Sequence, residues 1–137
     1  MIVADTGAVV ALLDADDRHH ETLRLLFEED PGAWVLPWAV LPEIDYLALS
    51  RLGLPVELAF LADLADGVFA VEWGDARDVA RANDIARRHR ALKLGLVDAV
   101  VIAVAERLGA AAIATLDLRH FSALTIRGNP RLLPRDI

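Results

Sequence analysis

Two short apolar runs, each closing on an aspartate, place the strongest constraint on how this chain can fold. Ile2-Val3-Ala4 ends at Asp5, and Ala110 to Leu116 ends at Asp117. Runs this short, with Thr115 their one polar residue, suit strands buried on both faces of a sheet. Trp34-Val35-Leu36-Pro37 and Phe69-Ala70-Val71-Glu72-Trp73 read as two further strands. The intervening segments carry helical spacing. Asp5-Thr6-Gly7 reads as a tight turn into a helix over Ala8 to Leu13, and Asp16 or Asp17 can cap a second helix reaching Glu28. Pro42 suits the first turn of a helix that Gly53 ends, and another runs from near Pro55 to Leu64. Asp75 caps a helix through Arg88, Gly95 marks a break, and Asp98 opens a strongly apolar helix to Leu108. Leu124-Thr125-Ile126 reads as a short edge strand. Strands alternating with helices imply an α/β fold, a three-layer α/β/α sandwich with a mainly parallel central sheet.

A chain of 137 residues fits one domain, taken here as 1–137, with no Pro/Gly/Ser tract that reads as a linker. The absence of cysteine excludes a disulfide framework, a thiolate zinc site and a cysteine nucleophile. The start, Met1-Ile2-Val3-Ala4-Asp5, lacks the basic flank and apolar core of a secretory leader. The uncharged run Pro31 to Pro42 is too short to span a bilayer and contains Pro37. A soluble, cytoplasmic protein is the expectation. Lys plus Arg total 14 against 21 Asp plus Glu, a net charge of −7, which runs counter to the basic balance of most nucleic-acid binders. Arg87, Arg88, Arg90 and Lys93 nevertheless concentrate positive charge locally, where a phosphate-contacting edge could sit.

In open α/β sheets, functional residues collect beyond the carboxyl ends of the strands. Asp5 and Asp117 close strands, while Glu43 and Asp98 occupy the starts of helices, so all four can converge on one edge. Clustered carboxylates raise one another's pKa and call for a cation to keep them charged. Donors that are all oxygen favour Mg²⁺ or Mn²⁺ over Zn²⁺. A cation held there could neutralise a phosphodiester and activate water, which is nuclease chemistry.

Ile2-Val3-Ala4-Asp5-Thr6, Pro42-Glu43-Ile44, Gly95-Leu96-Val97-Asp98-Ala99 and Ala114 to Phe121 together resemble a PIN-domain protein, specifically the VapC-like ribonuclease toxins of toxin–antitoxin pairs. The resemblance spans nearly the whole chain. It implies that Asp5, Glu43, Asp98 and Asp117 are the catalytic, metal-binding set, with Thr6 or Thr115 supplying a hydroxyl that orients a carboxylate or water. It further implies Mg²⁺- or Mn²⁺-dependent hydrolysis of structured RNA, a homodimer, and silencing by a cognate antitoxin. Arg87, Arg88, Arg90, Lys93 and Arg119 are the candidate RNA-phosphate contacts.

Each acid also has a plain structural role open to it. Asp98, Asp117 and Asp5 can be caps or turn residues, and Glu43 a first-turn acid favoured by the helix dipole. His120 reads as a non-catalytic loop or surface residue beside the anchoring Phe121, and His19 and His20 lack ligand spacing. The tryptophans read as core or interface residues. Leu47, Leu49, Leu52, Leu54, Leu58, Phe60 and Leu61 exceed what one inward face needs, which suggests a dimer surface or partner groove. Asp5 is followed two residues later by Gly7 rather than a second aspartate, against a haloacid-dehalogenase-type phosphatase, and no phosphate-loop pattern is present. A metal-dependent phosphotransfer enzyme acting on DNA or a small phosphorylated substrate, and an inactive regulatory binding module, stay open as alternatives.

Overall fold

Apolar strands only three or four residues long can bury both faces if helices cover each side, and that is how the computed structural model, which describes residues 1–137, arranges them. The strands are β1 (Ile2–Ala4), β2 (Trp34–Pro37), β3 (Ala70–Glu72), β4 (Ala112–Ala114) and β5 (Arg131–Leu133), in the order β3-β2-β1-β4-β5 with every pair parallel. Helices α1 (Thr6–Leu13), α2 (His20–Glu29), α3 (Leu41–Leu47), α4 (Leu54–Ala65), α5 (Ala76–Arg88), α6 (Gly95–Leu108) and the short α7 (Leu118–Phe121) complete the chain. The fold is an α/β/α sandwich of PIN-like form.

Helix α6 packs against β1 and β2, with α5 laid across its outer side. From Ala99 to Ala105 every residue of α6 is buried, which explains a helix apolar all round. Helix α1 packs on α2 and α3. Beneath them, Phe27 meets Trp34 edge-on with ring centroids 5.6 Å apart, and Phe69 lies 5.3 Å from Phe27 and 6.0 Å from Phe60. Trp34 is therefore core, whereas Trp73 is 73% exposed.

Polar contacts pin the α5/α6 layer. Arg107 donates to Asp78 at 2.6 Å and to Glu72 at 2.8 Å, and Arg81 pairs with Glu106 at 2.8 Å. Asp78 completes a capping box with Asp75 at the start of α5. Gly74 lies directly below, with φ +79°, and a Cβ there would fall 2.8 Å from Trp38 Nε1 and 2.9 Å from Asp78 Oδ2. Only glycine fits that corner.

Several boundaries differ from the sequence reading, among them the start of α2, which His19 precedes without a side-chain cap bond in place of a cap at Asp16 or Asp17. The fifth strand is Arg131–Leu133, not Leu124–Ile126. The alternation at 124–126 arises because Ile126 turns into the core from a loop, while Arg131 N–H bonds Ala111 O and Thr115 N–H bonds Leu133 O, both at 2.9 Å, to extend the sheet. Helix α6 begins at Gly95 rather than Asp98, so Asp98 lies in its first turn and is not its cap. Gly7 is inside α1 rather than in a turn ahead of it, because Asp5 itself caps the helix by accepting from Thr6 N–H at 2.8 Å. The helix expected from Pro42 to Gly53 widens along its length, passing from α3 into a π-type turn over Ala48–Leu52 before Gly53, at φ +98°, ends it.

Candidate active site

The strand order reverses direction of growth at β1 and β4, and the crevice beyond their carboxyl ends is where such sheets bind ligands. Asp5 leaves β1 there and Asp117 follows β4. The backbone fixes their relation, since Asp5 N–H bonds Ala114 O at 2.8 Å. Helices α3 and α6 bring Glu43 and Asp98 in their first turns. An open cavity of about 480 Å³ is lined by all four carboxylates, with Thr6, Leu116 and Arg119.

Asp5 is the buried member, 5% exposed. Its Oδ1 accepts from Thr6 N–H at 2.8 Å and its Oδ2 from the Thr115 hydroxyl at 3.0 Å. Burial, reinforced by the negative charges of Asp98 and Glu43, outweighs those two bonds and pushes its pKa up from 3.8 to about 6. The Thr115 hydroxyl in turn accepts from Asp117 N–H at 3.0 Å, so one side chain links two of the acids. Asp98 is also raised, first by burial and then by neighbouring Asp117 and Glu43, with a hydrogen bond from His120 opposing.

His120 occupies a place the sequence reading did not give it. Its Nδ1 lies 2.7 Å from Asp98 Oδ2 and 3.2 Å from Asp117 Oδ2, and its side chain is only 13% exposed. Asp117 caps α7 by accepting from His120 N–H at 3.2 Å, which swings the imidazole back over the carboxylates. Asp98, Asp117 and His120 form a group able to hold a metal ion, with donor atoms within 4.8 Å of one another. An imidazole nitrogen thus stands among the carboxylate oxygens. The available signal was the spacing of three between Asp117 and His120 on a capped turn.

Thr6 supports a fit to a hydrated cation. Its Oγ1 is buried beside Asp5 with no hydrogen-bond partner, an orphaned group that a metal-bound water would satisfy. Of the five cations singled out from sequence, Arg119 lines the acidic cavity. Arg88 instead lines a separate small cleft with Arg81 and Glu106, Arg87 Nε bonds Asn83 at 2.9 Å, Arg90 reaches the Arg87 carbonyl, and Lys93 turns the chain at φ +53° just before α6.

The profile of the PIN domain matches residues 2–126. This chain belongs to the PIN-domain family. Its relatives are VapC-type ribonucleases: it is 33% identical over 130 residues to ribonuclease VapC26 of Mycobacterium tuberculosis strain ATCC 25618 / H37Rv, covering 95% of this chain and 96% of that protein. Among solved structures it is similar to M. tuberculosis VapC20, a toxin that cleaves the sarcin-ricin loop, at TM-score 0.81 and 28% identity over 93% of this chain and 98% of that one. The fold is shared with DNA-bound VapBC of Salmonella typhimurium, at TM-score 0.71 and 21% identity over 96% and 95% of the two chains. FitAcB of Neisseria gonorrhoeae shares it at TM-score 0.65 and 16% identity over 96% of each. This PIN domain therefore carries a clustered acidic and histidine group consistent with a metal-dependent nuclease toxin. No helix is long and apolar enough to cross a membrane.

Proposed function

We propose that this chain, a single domain over 1–137, is a Mg²⁺- or Mn²⁺-dependent endoribonuclease that hydrolyses structured RNA as the toxin of a toxin–antitoxin pair. The observation that carries this reading is a buried carboxyl, Asp5, with a pKa pushed up to about 6 in a cavity shared with three further acids. A site that burdens itself with uncompensated negative charge is built for a cation. When bound, the cation supplies Lewis-acid neutralisation of the phosphodiester and lowers the pKa of water.

The chain's own residues provide the geometry. Asp5, Asp98 and Asp117 would hold the ion, Asp5 being fixed by Thr6 N–H and the Thr115 hydroxyl. His120 steadies Asp98 and Asp117, the kind of outer contact that sets ligand orientation. Glu43, exposed on α3, faces the cavity with its carboxylate free to take a proton from the attacking water. Thr6 Oγ1, buried without a partner, would orient that water, and Arg119, which lines the cavity, would meet the scissile phosphate. Arg87, Arg88, Arg90 and Lys93, leading up to α6, would touch the RNA farther along.

Tyr46, Leu49, Leu54, Leu58 and Leu61 leave an exposed apolar face on α3, α4 and the turn between them. We assign it to protein partners, the antitoxin and a second copy of the chain, and we place the pair in the cytoplasm. The test is incubation of purified protein with total cellular RNA and Mg²⁺ or Mn²⁺, with EDTA and D5A controls and cut-site mapping. Discrete cuts lost in both controls support the reading. Absence of cuts from folded, metal-bound protein freed of antitoxin sinks it.

A further inference from the structure

A second cavity adjoins the acidic one, and the two share Leu116 as a common wall. It measures about 390 Å³ and is lined by Arg18 and His19 in the turn leading into α2, Thr115 and Leu116 after β4, and Pro134 and Arg135 after β5. It therefore sits on the same carboxyl edge of the sheet, on the β4/β5 side. Thr115 presents its hydroxyl to Asp5 while its residue walls this groove.

The charge of the groove is opposite to that of its neighbour. Arg18 forms no ion pair; its Nε contacts only His19 Nε2, at 3.1 Å. Asp14, Asp16 and Asp17 lie in the turn that precedes α2 and none of them lines the groove; Asp14 accepts from Asp16 N–H at 3.0 Å and Asp17 from His19 N–H at 2.7 Å. Arg135 pairs with Asp136 through Nε and Nη2, leaving Nη1 free to donate. In a chain of net charge −7, an unpaired guanidinium walling a concave site next to a metal-type cavity marks where a polyanion can approach.

We propose that the groove of Arg18, His19 and Arg135 seats a backbone phosphate of the RNA strand next to the one cut in the acidic cavity. The inference rests on the ribonuclease reading above. Arg18 supplies the net charge, His19 and Arg135 supply N–H donors, and Leu116 separates the two phosphate positions. Phosphate contacts of this kind fix register without reading bases.

The test is binding of a fluorescein-labelled RNA hairpin to the full chain by anisotropy in EDTA, between about 50 and 200 mM salt, alongside cleavage in Mg²⁺. Loss of one phosphate contact lowers the slope of log K against log salt by about 0.7–0.9, which is about five- to eightfold weaker binding at 0.1 M. R18A is expected to show that loss, R18K to restore most of it, and R51A, at an exposed arginine lining neither cavity, to match the wild type. Equal slopes for R18A and R51A, or no RNA binding by the wild type, overturn the proposal. Wild type that cuts RNA while R18A binds and cuts identically removes the groove alone. Wild type that binds with the Arg18-dependent slope but never cuts supports the groove and removes the ribonuclease.

Discussion

Replacing Asp5 by asparagine should stabilise the metal-free protein while abolishing its metal response. The carboxyl holds its proton to about pH 6 in the folded chain against 3.8 ordinarily. An acid whose pKa is raised by folding favours the fold when protonated, so the contribution of Asp5 to stability is greatest below about pH 4. It declines as pH rises from about 4 to 6, and the deficit is complete above that. Two pKa units correspond to about 3 kcal/mol at pH 7.5. Asparagine removes the charge but keeps one carbonyl oxygen, which Thr6 N–H can still use. The Thr115 hydroxyl loses its acceptor, a cost of about 1 kcal/mol. The balance is about 1–2 kcal/mol in favour of D5N at neutral pH. Urea denaturation in EDTA at several pH values between 4 and 8 measures it. D5N should gain on the wild type as pH rises, and Mn²⁺ should stabilise only the wild type. A D5N protein less stable than wild type at pH 7.5, or a gap that does not change with pH, would refute the claim that Asp5 is an electrostatically strained ligand.

Two further outcomes follow from contacts described above. H120A should weaken Mn²⁺ binding about 10- to 100-fold in calorimetric titration, because Asp98 and Asp117 lose the donor that orients them; unchanged affinity would return His120 to a loop role. R107M strands Asp78, whose side chain is 1% exposed, and should cost about 3 kcal/mol in urea denaturation, whereas an unchanged midpoint would show the α5/α6 clamp to be dispensable.

Much of the fold was legible because its signals are local. A strand three residues long with no polar position, as in Ile2-Val3-Ala4, announces burial on both faces, and the cap at Asp75 announces the start of α5. Leu124–Ile126 misled for the converse reason. A loop residue that inserts into the core, Ile126, produces the same short alternation as an edge strand, and local pattern cannot tell them apart.

The sequence by itself determined the α/β class, the approximate elements and four acids at strand ends and helix starts, because these depend on hydrophobic period and capping chemistry. Only the tertiary structure decided what those acids experience. The burial of Asp5, the Thr115 hydroxyl bridging it to Asp117, and the return of His120 onto Asp98 all depend on segments far apart in the chain. The same is true of the cations: Arg87 to Lys93 stand out in sequence as a cluster, yet Arg119 reaches the acidic cavity and Arg18 with Arg135 meet beside it, because a parallel sheet gathers the ends of its strands at one edge. Charge density along a chain is local, but the field at a site is set by which residues the fold brings within a few ångströms of it.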